Sequence, residues 1–190
     1  MEYCNLAEVK RDLDITEDNK DHILQAIIGE AKTFIDNYCH REFDTTLETR
    51  YFDGSASPMF IDDLVSVTTF KLDEDGDGTY EETLSTDDYV LYPLNKYPKT
   101  YIKVSSDSDY GGFASGIRNG VEIDGTWGYA STVPEPITRA AIIQVCRWYK
   151  RRDSGFAVVI GMQDVGTFKV YHGLDPDIKE ILIPYRKKVL

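Results

Sequence analysis

Ile23-Leu24-Gln25-Ala26-Ile27-Ile28-Gly29-Glu30-Ala31-Lys32-Thr33-Phe34-Ile35-Asp36-Asn37-Tyr38 sets apolar side chains at i, i+3, i+4 and i+7. That is the stripe of an amphipathic helix with one buried face. Further along, Val121, Ile123 and Trp127 alternate with Glu122, Asp124 and Thr126, the two-residue period of a strand. Helical periods toward both ends, with a period of two between them, define an α+β fold: a small helical bundle with an inserted antiparallel β unit. Residues 1–46 and 130–190 are expected to form the helical core, and residues 47–129 the inserted β unit.

Upstream of the stripe, Asn5 to Leu13 reads as a short helix, with Asn5 as N-cap and Glu8 at the third position. The stripe's own helix is expected to start near Thr16, where Glu17 and Asp18 suit the positive end of the helix dipole. Gly29 costs up to ~1 kcal/mol in a helix interior, so close packing against another backbone is expected there. In the β region, Leu64 to Leu72 is a strand whose alternation slips near Thr68-Thr69, as a bulge would make it. Tyr101 to Val104 is another short strand, Ser105 to Gly116 a polar loop, and Asn119-Gly120 a hairpin turn signal. Helix returns at Val133-Pro134-Glu135-Pro136-Ile137 and runs to Arg152, apolar on more than one face. Such a helix is central in its own domain or shared between subunits. Its residues Ile142, Trp148 and Tyr149 are the candidate inter-subunit contacts. After the glycine-containing segment Ser154 to Gly173, Asp175-Pro176-Asp177 caps a short helix to about Ile183.

The chain has 190 residues, 42% hydrophobic and 28% charged, the composition of a soluble globular protein able to bury a core. No apolar run reaches the ~20 residues that span a bilayer, so no membrane partner is expected. Met1-Glu2-Tyr3-Cys4 lacks the features of a signal peptide, so the protein is expected to stay in the compartment where it is made. Cys4, Cys39 and Cys146 are odd in number and far apart, reading as buried thiols. Nothing in the spacing of Cys39-His40 and Cys146 argues for a metal site. Net charge is −12. Residues 147–190 hold nine Lys/Arg against five acids, and residues 1–146 hold 12 against 28. An acidic body argues against gripping DNA through its phosphates, and the polarity suggests attraction between chains or to a partner of opposite sign.

The sharpest local motif is Asp73-Glu74-Asp75-Gly76-Asp77-Gly78-Thr79-Tyr80-Glu81-Glu82. Asp73, Asp75, Asp77 and Gly78 match positions 1, 3, 5 and 6 of an EF-hand loop, but position 12 is Leu84 and the flanks read as strands. A solvated hairpin tip accounts for the same residues. His22, His40 and His172 fall in no nucleophile or metal motif, and Gly161 to Gly166 lacks the flanks of a phosphate loop. No catalytic residue, metal ligand or cofactor is assigned.

Leu6-Ala7-Glu8-Val9-Lys10 and the helix through Ala31, Ile35 and Tyr38 into Arg41-Glu42-Phe43 resemble the N-terminal half of tailed-bacteriophage head–tail connector (adaptor) proteins. Gly125-Thr126-Trp127-Gly128-Tyr129, Val133-Pro134-Glu135-Pro136-Ile137, Tyr149-Lys150-Arg151-Arg152-Asp153, Leu174-Asp175-Pro176 and Pro184-Tyr185-Arg186 resemble their second half. The resemblance implies a non-enzymatic subunit forming a ring with its own copies, dodecameric in the virion, under the portal protein. It implies an extended DNA channel past which DNA moves without specific binding, and a docking surface for a tail or head-completion protein. The implied location is the head–tail junction of the virion, with host cytoplasm during assembly. The family's compact members have little where residues 47–129 stand. The basic end, Tyr185, Arg186, Lys187 and Lys188, is the candidate portal-binding element, and Pro184 is expected to make it project as a tail. The alternatives are a calcium-dependent β-rich interaction module and an uncharacterised enzyme.

Overall fold

The structure, a computed structural model, describes residues 2–153, 159–162, 166–169 and 174–187. The chain divides into two compact units, residues 1–43 with 133–190, and residues 44–132. Its fold class is mixed α+β, with an antiparallel sheet.

The helical unit opens with α1 (Leu6–Leu13), closed by a reciprocal capping box: the Glu8 amide donates to Asn5 and the Asn5 amide to Glu8, both at 2.9 Å. α2 (Asp21–Cys39) begins later than the expected Thr16. Asp14 turns the chain in the left-handed region at φ 56°, and Lys10 reaches forward to Asp18 and Asp21 at 2.6 and 2.8 Å. Those ion pairs draw residues 15–20 into a turn against α1, and their carboxylates serve a tertiary contact.

The buried face of α2 is Leu24, Ile27, Ile28, Ala31, Ile35 and Cys39. α3 (Glu135–Asp153) packs against α1, α2 and α4 (Pro176–Leu182), which continues into a 3₁₀ turn, Ile183–Tyr185. Much of the apolar surface of α3 is thus covered inside its own unit. Ile142 and Tyr149 are buried there, and Trp148 is half-buried. Gly29 departs from expectation: a Cβ placed there would meet nothing within 4 Å, so no backbone among the described residues packs against it.

The second unit contains β1 (Thr45–Phe52), β2 (Ser55–Ala56), β3 (Met59–Leu72), β4 (Glu82–Thr83), β5 (Tyr89–Tyr92), β6 (Lys99–Val104), β7 (Gly112–Phe113) and β8 (Val121–Gly128). The main sheet runs β1-β8-β3-β6-β5, antiparallel throughout, with β4 beside β3, while β2 pairs with β7. Register shifts between Leu64 and Ser66 and between Val67 and Thr69, the second spanning Thr68 where the sequence alternation slips. The inward residues Ile61, Leu64, Phe70, Leu72, Ile102, Phe113, Val121, Ile123 and Trp127 form the core. Trp127 satisfies its indole by donating to the Glu48 carbonyl at 2.9 Å. Asn119-Gly120 turns the chain, Asn119 at φ 52°, but joins no hairpin: the following β8 pairs with β1 and β3, while the preceding β7 pairs with β2. Local turn chemistry names a bend and not the partner strand. Two further strands, β9 (Val159–Met162) and β10 (Gly166–Lys169), pair antiparallel.

Gly125 and Gly29 bracket what a methyl group costs here. A Cβ at Gly125 would lie 2.4 Å from the Ser66 carbonyl oxygen, inside the β3–β8 ladder. We expect Gly125→Ala to lower the melting temperature sharply, while Gly29→Ala raises stability by about 0.5–1 kcal/mol through helix propensity alone. Thermal denaturation followed by circular dichroism reads both; equal losses would mean that Gly29 is packed after all.

Candidate functional site

Three surface features collect the residues singled out in the sequence. The first is a groove of about 560 Å³ between α2 and α3, lined by His22, Ile23, Ala26, Ile27, Glu30 and Trp148, with Arg151 and Arg152 at its edge. A second hollow of about 480 Å³ continues along α2 past Gly29, Thr33, Phe34 and Asn37 to the same tryptophan. Phe34 meets Trp148 edge-on, ring centres 5.3 Å apart, which fixes the indole between the hollows. Of the three candidate inter-subunit residues, only Trp148 lines this surface. His22 joins Glu30 and the two arginines here, but no nucleophile stands beside it.

The second feature is the basic end, and it does not project. Tyr185 packs edge-on against the buried Phe43, ring centres 5.9 Å apart. The Lys187 amide donates to the Cys39 carbonyl at 2.8 Å, satisfying a carbonyl at the end of α2. The Arg186 guanidinium lies 5.3 Å over the Tyr38 ring and 3.5 Å from His40. Pro184 sits in the 3₁₀ turn and ends the helix, but it directs the chain back onto α2, so the basic end does not project as a free tail. Arg186 is exposed. Lys188 and His172 lie outside the described residues.

The third feature is the tip between β3 and β4. Asp73 is 2% exposed and accepts from the amides of Gly76 at 2.6 Å and Gly78 at 2.9 Å. Burial alone would raise its pKa, but the Gly78 and Gly76 amides outweigh this and hold it below the ordinary 3.8. Asp75 and Asp77 accept from the amides of Asp77 and Thr79. One carboxylate oxygen from each of Asp73, Asp75, Asp77 and Glu81 lies within 4.8 Å of the others, the one such metal-capable group among the described residues. The sequence motif includes Glu81 but gives it no ligand position; the fold of the loop brings it to the three aspartates. Leu84, where an EF-hand needs its bidentate glutamate, is buried in the β core.

Burial raises all three thiols, Cys4 to about 12 and Cys39 to about 11, with Cys146 raised as well, so none favours the thiolate that metal or nucleophilic chemistry needs. Among the described residues, no helix is long and apolar enough to cross a membrane.

A helical unit built around a central α3 carries an antiparallel β unit between α2 and α3 in sequence. Residues 3–88 match the family model described as Phage gp6-like head-tail connector protein, which bears out the resemblance drawn from the sequence. That match runs through α1 and α2 and well into the β unit. No curated protein matches the chain. Among solved structures, a chain in the "Neck of empty GTA particle computed with C6 symmetry" aligns with TM-score 0.63 and 16% identity, covering 99% of this chain and 92% of that one. A chain in the "Virion of native gene transfer agent (GTA) particle" gives 0.60 and 16% over the same shares. One in the "Neck of native GTA particle computed with C12 symmetry" gives 0.53 and 18%, covering 97% and 90%. The shared fold therefore includes the β unit of residues 44–132.

Two outcomes follow from this geometry. Asp73→Ala should lower the melting temperature at pH 7. The gap from the parent should close as pH falls below the ordinary carboxylate value and through the lower value of Asp73, because a depressed carboxylate stabilises the fold only while ionised. A gap unchanged down to pH 2 would show that Asp73 acts through packing alone. Removing the residues after Ile183, or Tyr185→Ala alone, should destabilise the helical unit, the latter by about 1–2 kcal/mol. Urea titration measures this; an unchanged midpoint would return these residues to a solvated end.

Proposed function

We propose that this chain is a non-enzymatic head–tail connector subunit. Its copies form a ring, twelve in the virion, beneath the portal protein, extending the DNA channel and docking a tail or head-completion protein. The observation that carries the reading is the fold shared over 99% of the chain with a chain of a gene-transfer-agent neck, together with the family match over residues 3–88. The site is the head–tail junction of the virion, reached from the host cytoplasm during assembly. DNA passes without specific binding, since an acidic subunit repels phosphate. The helical unit, residues 1–43 and 133–190, supplies the ring contacts at Trp148, and the β unit is inserted between its two segments in the sequence.

Inter-subunit contact is assigned to Trp148 and the groove it lines, occupied by a second copy. Ile142 and Tyr149 support it from inside by fixing α3. Gly29 and Ala26 leave room for an approaching helix, which offers a reason for a glycine that no backbone among the described residues packs against. Portal docking is assigned to the basic end: Arg186 with Lys187 and Lys188 presents charge, while Tyr185 anchors the segment on Phe43.

Twelve copies at −12 each bring together a net charge of −144, so the isolated protein should be a monomer or weak oligomer. Rings should appear at high protein concentration, in salt, or with cognate portal, as read by light scattering and electron microscopy. A stable dimer that never yields rings with portal present would sink the reading. A calcium-dependent β-rich module is the second reading, favoured by the four convergent carboxylates. Because loop amides already compensate the three aspartates, EDTA and calcium should leave the melting temperature unchanged, and a calcium-reversible shift would revive that reading.

A further inference from the structure

Residues 89–106 break the charge pattern of the β unit. They contain Lys96, Lys99 and Lys103 and no acid, whereas the rest of residues 44–132 holds 17 acids and three bases. The same stretch carries unusual apolar exposure. Tyr97 is 61% exposed and Leu94 58%, and Phe60, on the neighbouring β3, is 75% exposed. Around Phe60 the rings are ordered against one another. Phe60 meets Tyr101 with ring centres 5.8 Å apart, and Tyr101 stacks on Tyr92 at 5.1 Å with the planes only 6° apart. The Lys103 ammonium lies 5.2 Å over Tyr92 and 6.0 Å over Tyr101.

The turn bearing Tyr97 is fixed from below. Lys99 is 6% exposed and donates to the carbonyls of Pro93 and Leu94 at 2.6 and 2.9 Å. A contiguous aromatic surface edged by lysine, held in place before any partner arrives, has the anatomy of a docking site, since scattered exposed apolar residues need no such order.

The same unit carries its chemical opposite. Residues 73–82 contain six acids and no base, five of them exposed. Tyr80 holds this tip elsewhere on the unit, packing on Tyr51 and donating to the Asn119 carbonyl at 2.7 Å. Among the described residues, Glu74, Asp75, Asp77, Glu81, Lys96 and Lys103 form no ion pair.

We propose that the face of Phe60, Tyr92, Tyr97, Tyr101 and Lys103 receives the acidic 73–82 tip of a second copy. The inference rests on the ring reading above and adds a contact between β units to the one at Trp148. Two unlike surfaces on one chain, held in different places, make a heterologous contact, and a heterologous contact closes into a ring when its rotation allows. The rings supply apolar area, and Lys103 with Lys96 sets which acidic segment is accepted.

The full chain tests this under conditions that give wild-type rings. Phe60→Ser with Lys103→Glu should weaken self-association about tenfold or more, as loss of an aromatic–charge anchor does, with circular dichroism and melting temperature unchanged. Glu74→Lys with Glu81→Lys should weaken it similarly. Combining Lys96→Glu and Lys103→Glu with Glu74→Lys and Glu81→Lys should restore most of the loss, because both partners are reversed in every copy. Wild-type rings from the face variants, or no rescue by the combined reversal, would overturn the contact while leaving the ring reading intact. Failure of the wild type to form rings even with portal would remove both. A face variant that keeps its rings but loses binding to double-stranded DNA in fluorescence anisotropy would assign the face to nucleic acid and overturn the proposal.

Discussion

The Tyr3 hydroxyl holds the helical unit together at the point where the chain leaves it. It donates to the Asp36 carboxylate on α2 and accepts from the Phe43 amide at 2.8 Å, and the Tyr3 ring meets Phe43 edge-on. Lys32 lies over the same ring and pairs with Asp36. Phe43 is fully buried and is in turn covered by Tyr185. A chain of three aromatic rings thus ties Tyr3, the last residue of the helical unit before the strands, and the turn that follows α4. Each buried polar group in it has a partner, which makes such a cluster stabilising instead of costly. The positions of α2, of the Arg186 guanidinium and of the groove at Trp148 all depend on it.

The division of charge follows the division of structure. Residues 44–132 hold 17 acids against six bases, while the helical unit holds 16 against 15. Nearly the whole net charge therefore sits on the β unit. A count that runs straight along the chain, acidic first and basic last, hides this because α1, α2, α3 and α4 share one core across the interval. Repulsion between copies will act mainly between β units, and the helical units can pack with little opposing field. An acid-free patch inside the acidic unit gains weight from that background.

Much of the fold was legible because its signals are local. The α2 stripe, the Asn5 cap, the Asp175 cap and the β8 alternation are each decided by residues within one or two turns, and each appears where expected. The bulge at Thr68 was legible from one slipped alternation. What escaped was tertiary. The start of α2 is set by Lys10 reaching two aspartates, the partner of β8 by sheet order, and the docking of Tyr185 by a phenylalanine far away in sequence. Gly29 reads as a close approach because a helical glycine is costly unless another backbone comes near, and among the described residues none does. The acidic tip was seen as a motif, but Glu81 joins it only through the fold of the loop. The aromatic face was invisible because Phe60 belongs to β3 and Tyr92 and Tyr101 to β5 and β6, and no spacing along the chain brings them together.

The discontinuity of the helical unit sets an order of events during synthesis. Residues 44–132 are contiguous, so their sheet can complete its hydrogen bonds once residue 132 has left the ribosome. The helical unit cannot: α1 and α2 are made first, yet their core is filled by Ile137, Ala141, Val145, Ile178 and Leu182. At elongation rates of ~5–20 residues per second, α2 waits roughly 7–30 seconds with its apolar face uncovered. The nascent chain is therefore a folded β unit flanked by unfinished helices, and holdase chaperones would find their substrate in α2, not in the sheet.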